Sequence, residues 1–247
     1  MTEVARLPGV VIVRDDPSQM ATAAADWILE AARQAAAASG RFRIALAGGG
    51  TPRLLYQALA ASPRRERGEW EHWEVFFGDE RAVPPDDPSS NYRLARENLL
   101  DHVLIPPAQV HRMKAERADL DLAAAEYSSI LASTCPPWGA ARVPRLDCVL
   151  LGVGENGHTA SLFPGEAALE VHDRWAVRAR ADYPPYDRIT LTLPVLNAAA
   201  RVAFLVTGTA KGDALRGVVR GSVPAAGVRP PDGELRWFLD AQAAAQL

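Results

Sequence analysis

Apolar residues fall along this chain in two alternating patterns. Short runs rich in β-branched or aromatic side chains recur at residues 10–13, 43–47, 73–77, 146–151, 176–180, 189–193 and 202–207, the signature of buried strands. Between most of them lie segments with helical periodicity, at 18–39, 52–61, 92–102, 120–134 and 211–220. The first is amphipathic, with Asp26, Glu30 and Arg33 on one side and Trp27, Ile28 and Ala31 on the other, and Gly40 ends it. Strand and helix in regular order predict a doubly wound α/β fold, a mostly parallel sheet with helices on both faces. The Pro/Gly-rich breaks at 84–88, 136–144 and 184–185 separate no two complete sets of elements, so they read as loops within one domain spanning 1–247.

Composition narrows the class of function. The 247 residues are 48% hydrophobic with a net charge of −3, a globular balance for a chain long enough to bury a large core. A sequence pI near 6.0 gives no general attraction to nucleic acid. No apolar run reaches the ~18–20 residues of a membrane span, and the first twenty residues lack a signal-type apolar core, so a cytoplasmic protein is expected. Two cysteines, Cys135 and Cys148, make neither a disulfide framework nor a zinc site, and Cys148 sits in an apolar run as an inert thiol. Lys114 and Lys211 are the only lysines among 27 basic residues.

In doubly wound sheets, ligands bind beyond the carboxyl ends of strands, so the residues after each apolar run are where chemistry is expected. After 43–47 comes Gly48-Gly49-Gly50-Thr51-Pro52, which predicts a turn into a helix with Thr51 as N-cap and Pro52 at the first helical position. Free N–H groups at such a helix start suit a phosphate; the alternative is a tight turn with no ligand. After 73–77 comes Gly78-Asp79-Glu80-Arg81, whose charges either face a polar cleft or form a structural ion pair. After 146–151, Gly152 to Gly157 formally fit a dinucleotide fingerprint. Pro164-Gly165 interrupts the following helix, however, and the next strand ends in arginine rather than an acid, which argues against that reading. His158 stands alone among five histidines in lying within a glycine-rich strand-end loop, where imidazole is placed to act as a general base. After 202–207, Lys211 opens a helix, a position unfavourable to a cation unless an anion is bound there.

Together the segments at 47–59, Asp79-Glu80-Arg81 with Ser90-Asn91-Tyr92, 151–164 and 188–197 resemble the 6-phosphogluconolactonase family, within the glucosamine-6-phosphate isomerase/deaminase-like superfamily. The string Gly157-His158-Thr159-Ala160-Ser161-Leu162-Phe163-Pro164 carries the resemblance most specifically. Similar deaminases follow the histidine with an Ile-Ala-Phe-Asn-Glu-Pro type segment; Ser-Leu-Phe-Pro stands here, so their ring-opening glutamate is absent.

The resemblance implies hydrolysis of 6-phospho-D-glucono-1,5-lactone to 6-phospho-D-gluconate in the pentose phosphate pathway, without metal or redox cofactor. Its functional neighbours would be glucose-6-phosphate dehydrogenase and 6-phosphogluconate dehydrogenase. His158 and Asp79 are then the expected catalytic residues, with Asp79 orienting His158 or a sugar hydroxyl. Gly48, Gly49, Gly50, Thr51, Arg81, Asn91, Asn156 and Lys211 are the expected substrate or phosphate ligands, and N–H groups of residues 154–157 would form an oxyanion hole. Ser161 lacks a nucleophile elbow and reads as helix or pocket lining.

Two positions depart from the pattern: many members have Asp at the place of Asn156, and a lysine near Tyr183, for which Arg180 or Arg188 would have to substitute. An isomerase or deaminase of the same superfamily remains the alternative, as does a sugar-phosphate sensor without activity. Such sensors usually carry a DNA-binding segment, for which a chain starting directly with a strand leaves no room.

Overall fold

The computed structural model describes residues 6–247. Eleven strands are named in chain order: β1 (Val10–Arg14), β2 (Phe42–Leu46), β3 (Trp73–Phe77), β4 (Asp79–Arg81), β5 (Pro137–Trp138), β6 (Val143–Pro144), β7 (Cys148–Leu151), β8 (Ala176–Arg180), β9 (Asp187–Leu191), β10 (Arg201–Val206) and β11 (Glu234–Asp240). The α-helices are α1 (Pro17–Ser39), α2 (Gly50–Ala60), α3 (Arg64–Arg67), α4 (Asn91–Asn98), α5 (Leu120–Thr134), α6 (Leu193–Ala198), α7 (Gly212–Arg220) and α8 (Ala241–Ala244). Helix boundaries follow local chemistry. Asp16 caps α1 by accepting from the Gln19 N–H at 2.8 Å, and Gly40 closes it in the left-handed region. Ser90 and Asp119 cap α4 and α5 in the same way.

Six strands form one parallel sheet in the order β1-β11-β10-β7-β2-β3. Strict alternation along these strands divides the core. Ala45, Phe76, Val149, Leu151, Phe204 and Trp237 pack on one face with α5 and α7, while Ile44, Val75, Phe77, Leu150, Leu205 and Phe238 pack on the other with α1 and α2. The doubly wound expectation therefore holds for the main sheet.

The segments at 176–180 and 189–193 do not belong to it. With only a short turn between them, β8 and β9 lack the dozen or so residues that a parallel crossover needs. They pair antiparallel, and with β4 they form a second sheet in the order β4-β9-β8. Leu193 falls outside the strand, in α6.

The chain winds outward from β2 to β3, then returns to place β7 on the other side of β2. The sheet's topological switch point thus lies between the carboxyl ends of β2 and β7, and a crevice is expected there.

Candidate active site

A cavity of about 500 Å³ opens at that switch point. Gly48 and Gly49 line it beyond β2, residues 152–156 and His158 beyond β7, and Asp79, Arg81 and Arg188 from the second sheet; Asp182, Tyr183 and Lys211 complete the wall.

The second sheet reaches the cavity through Gly78. Its N–H donates to Leu46 O in the main sheet, and its carbonyl accepts from Leu191 N in the other, each at 2.8 Å. One residue thereby hands the chain from β3 to β4. The β4–β9 register then sets Arg81 directly opposite Arg188, an arrangement that ordinarily destabilises a pair of strands.

Arg188 is 1% exposed, and its Nε donates to Pro185 O at 2.6 Å. Arg81 donates from Nη1 to Ser89 O. Arg81 Nε and Arg188 Nη2 are buried with no hydrogen-bond partner. Burial pushes the Arg188 guanidinium below its usual range, opposed chiefly by the charge of Asp79. Two arginines and Lys211 thus face one cavity with buried donors left over, which is the donor set a dianion requires.

The adjacent acids of β4 do different work. Glu80, 3% exposed, accepts from the backbone N–H groups of Arg81 (2.8 Å), Asn91 (2.7 Å) and Tyr92 (2.8 Å) and from Ser90 Oγ (3.0 Å). It clasps the start of α4 to β4. Burial pushes its carboxyl up, and the backbone donors hold it down. Asp79 faces the cavity, accepting from Ser161 Oγ at 2.6 Å and from Asn91 Nδ2 at 3.1 Å. The Asn91 amide fits because residue 48 has no side chain; a Cβ there would lie 1.8 Å from Asn91 Oδ1.

His158 is half-buried, stacked on Phe163 with ring centroids 4.1 Å apart. Its ring also lies against the backbone of Gly154, where an added Cβ would come within 2.1 Å of Nδ1. Asn156 Oδ1 accepts from the His158 backbone N–H at 3.1 Å and meets Nδ1 at 2.6 Å. Because that oxygen only accepts, Nδ1 carries the ring proton and Nε2 is the basic atom. Burial pulls the His158 pKa below its ordinary 6.5, Asp79 and Asp182 push it up, and Lys211 and Arg188 pull it down. The imidazole is therefore neutral at neutral pH, as a general base must be.

The family described as glucosamine-6-phosphate isomerases/6-phosphogluconolactonase matches residues 15–237. Curated relatives named 6-phosphogluconolactonase include one from Nostoc, 41% identical across 96% of this chain and 98% of its own, and one from Synechocystis, 43% identical across 87% and 88%. Among solved structures, 6-phosphogluconolactonase from Trypanosoma brucei superposes with a TM-score of 0.87 at 29% identity, covering 98% of this chain and 99% of the other. The chain belongs to the glucosamine-6-phosphate isomerase/6-phosphogluconolactonase family.

Within this family member, the cavity gathers Gly48, Gly49, Asp79, Arg81, Asn156, His158 and Lys211 from the expected set. Other expectations need correction. Asn91 is buried behind Asp79 and does not line the cavity, so it supports an acid rather than facing a ligand. Gly49, not Thr51, caps α2, which begins two residues earlier than expected, at Gly50. Gly50 and Thr51 stand in its first turn outside the lining, with the Thr51 hydroxyl 2.8 Å from that of Thr207.

Asp79 makes no hydrogen bond to His158; Asn156 holds that position. The N–H groups of Gly154 and Gly157 are bonded within their own loop, to His158 O and Gly154 O at 2.9 Å each, so neither is free for an oxyanion. No helix follows Gly157, and Ser161 is buried against Asp79.

Between Arg180 and Arg188, the structure brings Arg188 to the cavity. Arg180 is exposed, with its guanidinium 5.4 Å from the Tyr186 ring. Asp182 was not foreseen as part of the site, and nothing local in sequence marks it.

Among the described residues no group of three or more His, Cys, Asp or Glu side chains is placed to hold a metal, and no helix is long and apolar enough to cross a membrane.

Proposed function

We propose that this protein hydrolyses 6-phospho-D-glucono-1,5-lactone to 6-phospho-D-gluconate. The observation that carries the reading is the convergence of Arg81, Arg188 and Lys211, with buried donors unfilled, on the cavity that also holds a neutral, oriented His158. The cations bind the 6-phosphate and fix the ring. His158 Nε2 removes a proton from water as its oxygen bonds to the lactone carbonyl carbon. The tetrahedral intermediate collapses with cleavage of the carbon–ring oxygen bond, and the imidazolium returns its proton to the leaving oxygen. One water is consumed, and the products are the carboxylate, the freed hydroxyl and the proton released by the new acid.

Asp79 keeps lone pairs for a sugar hydroxyl while Ser161 and Asn91 hold it in place. General base catalysis supplies ~10²–10⁴-fold, or roughly 3–5 kcal/mol, enough for an ester as reactive as a lactone. The reaction sits between a step that oxidises a sugar phosphate at C1, as glucose-6-phosphate dehydrogenase does, and one that consumes the acid, as 6-phosphogluconate dehydrogenase does. We place it in the cytoplasm, where those soluble substrates would meet it.

The test generates the lactone enzymatically near neutral pH, subtracts spontaneous hydrolysis and follows acid release. Acceleration by the protein, with no turnover of glucosamine 6-phosphate, is the expected result. Binding of phosphosugars with no acceleration would overturn the enzymatic reading.

A further inference from the structure

His158 reaches its working state only if the amide of Asn156 is the right way round. An asparagine side chain presents an acceptor at one end and donors at the other, so turning it over would set N–H groups against His158 Nδ1. Nδ1 would then have to accept, the ring proton would move to Nε2, and the atom facing the cavity would no longer be a base. Within the 152–158 loop only the His158 backbone N–H, 3.1 Å from Asn156 Oδ1, opposes this turn, because the imidazole can match either end by changing tautomer.

A second and shorter constraint comes from a different part of the chain. Asp182 Oδ2 lies 2.8 Å from Asn156 Nδ2. A carboxylate only accepts, so it admits only one orientation of the amide. The order of bonds is then forced from the outside inward: Asp182 accepts from Asn156 Nδ2, Asn156 Oδ1 accepts from both the His158 N–H and Nδ1–H, and Nε2 is left as acceptor.

Asp182 stands in the turn joining β8 to β9, which Ala181 N closes on Tyr186 O at 2.7 Å. The neighbouring Tyr183 ring ties that turn to the site, with its centroid 6.2 Å from that of His158 and 5.8 Å from that of Phe163. The Arg188 guanidinium lies 5.3 Å from the same ring.

We propose that Asp182 is a positioning residue for the hydrolysis, acting through Asn156 to hold His158 with its proton on Nδ1. Asp182 needs no contact with substrate for this. The inference rests on His158 being the general base and adds the group that keeps it competent.

The experiment uses ¹⁵N-labelled full-length protein, in which the ring-nitrogen shifts of neutral His158 report the tautomer directly, alongside lactone kinetics. In the wild type Nδ1 is protonated. In Asp182→Ala only the 3.1 Å bond from the His158 N–H still orients the amide, the Nε2-protonated form gains population, and kcat falls about tenfold (about 1.4 kcal/mol) with KM within twofold.

Asn156→Asp alone sets two carboxylates face to face and also lowers kcat. The swap Asn156→Asp with Asp182→Asn restores a donor–acceptor match, since residue 182 now donates to a carboxylate that accepts from Nδ1–H. It is expected to return the Nδ1-protonated signature and kcat to within a few-fold of wild type.

An Asp182→Ala protein with the wild-type tautomer and kcat, or a swap that stays as impaired as Asn156→Asp alone, would overturn the proposal. The NMR reading separates this from the underlying assignment. A His158→Ala protein with full activity removes the general base, whereas the tautomer in Asp182→Ala decides the role of Asp182 whatever the activity.

Discussion

The two halves of the cavity are built on different principles. The half we assign to phosphate binding stands on paired strands: Arg81 and Arg188 are cross-strand neighbours, Glu80 clasps β4 to the start of α4 through three hydrogen bonds, and Arg188 is buried. The half we assign to the scissile bond stands on loops, with Asn156 and Asp182 exposed and His158 half-buried. Pairing in the first half holds like charges together, at a cost that Asp79 eases and a bound anion would relieve further. In the second half a chain of directional side-chain hydrogen bonds supplies the order. Binding and chemistry should therefore separate on mutation: damage to the strand half appears in KM, damage to the loop half in kcat.

The largest effect is expected from His158→Ala. Removing the base should lower kcat by about 10²–10⁴-fold while KM stays within a few-fold. The ring is half-buried on Phe163, so circular dichroism and thermal unfolding should show a folded protein. A comparable rise in KM would mean that the loop half also carries binding, and the division between the halves would fail.

Arg188→Gln should act the other way. A charge-assisted hydrogen bond is worth about 1.5–3 kcal/mol, which corresponds to a KM increase of roughly 10–150-fold at 1.36 kcal/mol per tenfold. The same substitution removes the buried member of a cross-strand pair of like charges. Inorganic phosphate should raise the melting temperature of the wild type by mass action and leave that of the variant nearly unchanged. A variant with normal KM and a normal phosphate response would remove Arg188 from the binding half.

Local chemistry made part of this arrangement legible in the sequence. The main-sheet strands β2, β3, β7 and β10 announce themselves as predominantly apolar runs, broken only by Arg43, Glu74 and Arg201, because both faces are covered. Strand-end positions followed from the parallel class, which directed attention to Gly48, Asp79, His158 and Lys211.

Long-range pairing was not legible. β11 mixes Glu234, Arg236 and Asp240 with apolar residues and is an interior strand only because β1 and β10 flank it. β4 is three residues long and becomes a strand through β9. The choice of Arg188 over Arg180 depends on that same register. The partner of Asp79 proved to be Ser161, and that of Asn156 to be Asp182, because folding brings together positions 82 and 26 residues apart. No local pattern encodes such pairs.

The smallest expected effect probes whether the two halves share an electrostatic field. Burial holds the His158 pKa below 6.5, and Lys211 and Arg188 add to that depression while Asp79 and Asp182 oppose it. Lys211→Met removes a depressing charge without touching the ring, so the His158 pKa should move up toward 6.5. At a given mildly acidic pH more of the imidazole is then protonated, and less base remains. An NMR titration of the His158 ring protons in phosphate-free buffer reads this directly. A wild-type midpoint above 6.5 would contradict the burial argument, and an unmoved midpoint in Lys211→Met would show the halves to be screened from each other. If the midpoint moves, phosphate binding must act with the same sign. A dianion that neutralises the cations raises the pKa of His158, strengthening its hold on the proton taken from water as the substrate settles into the strand half.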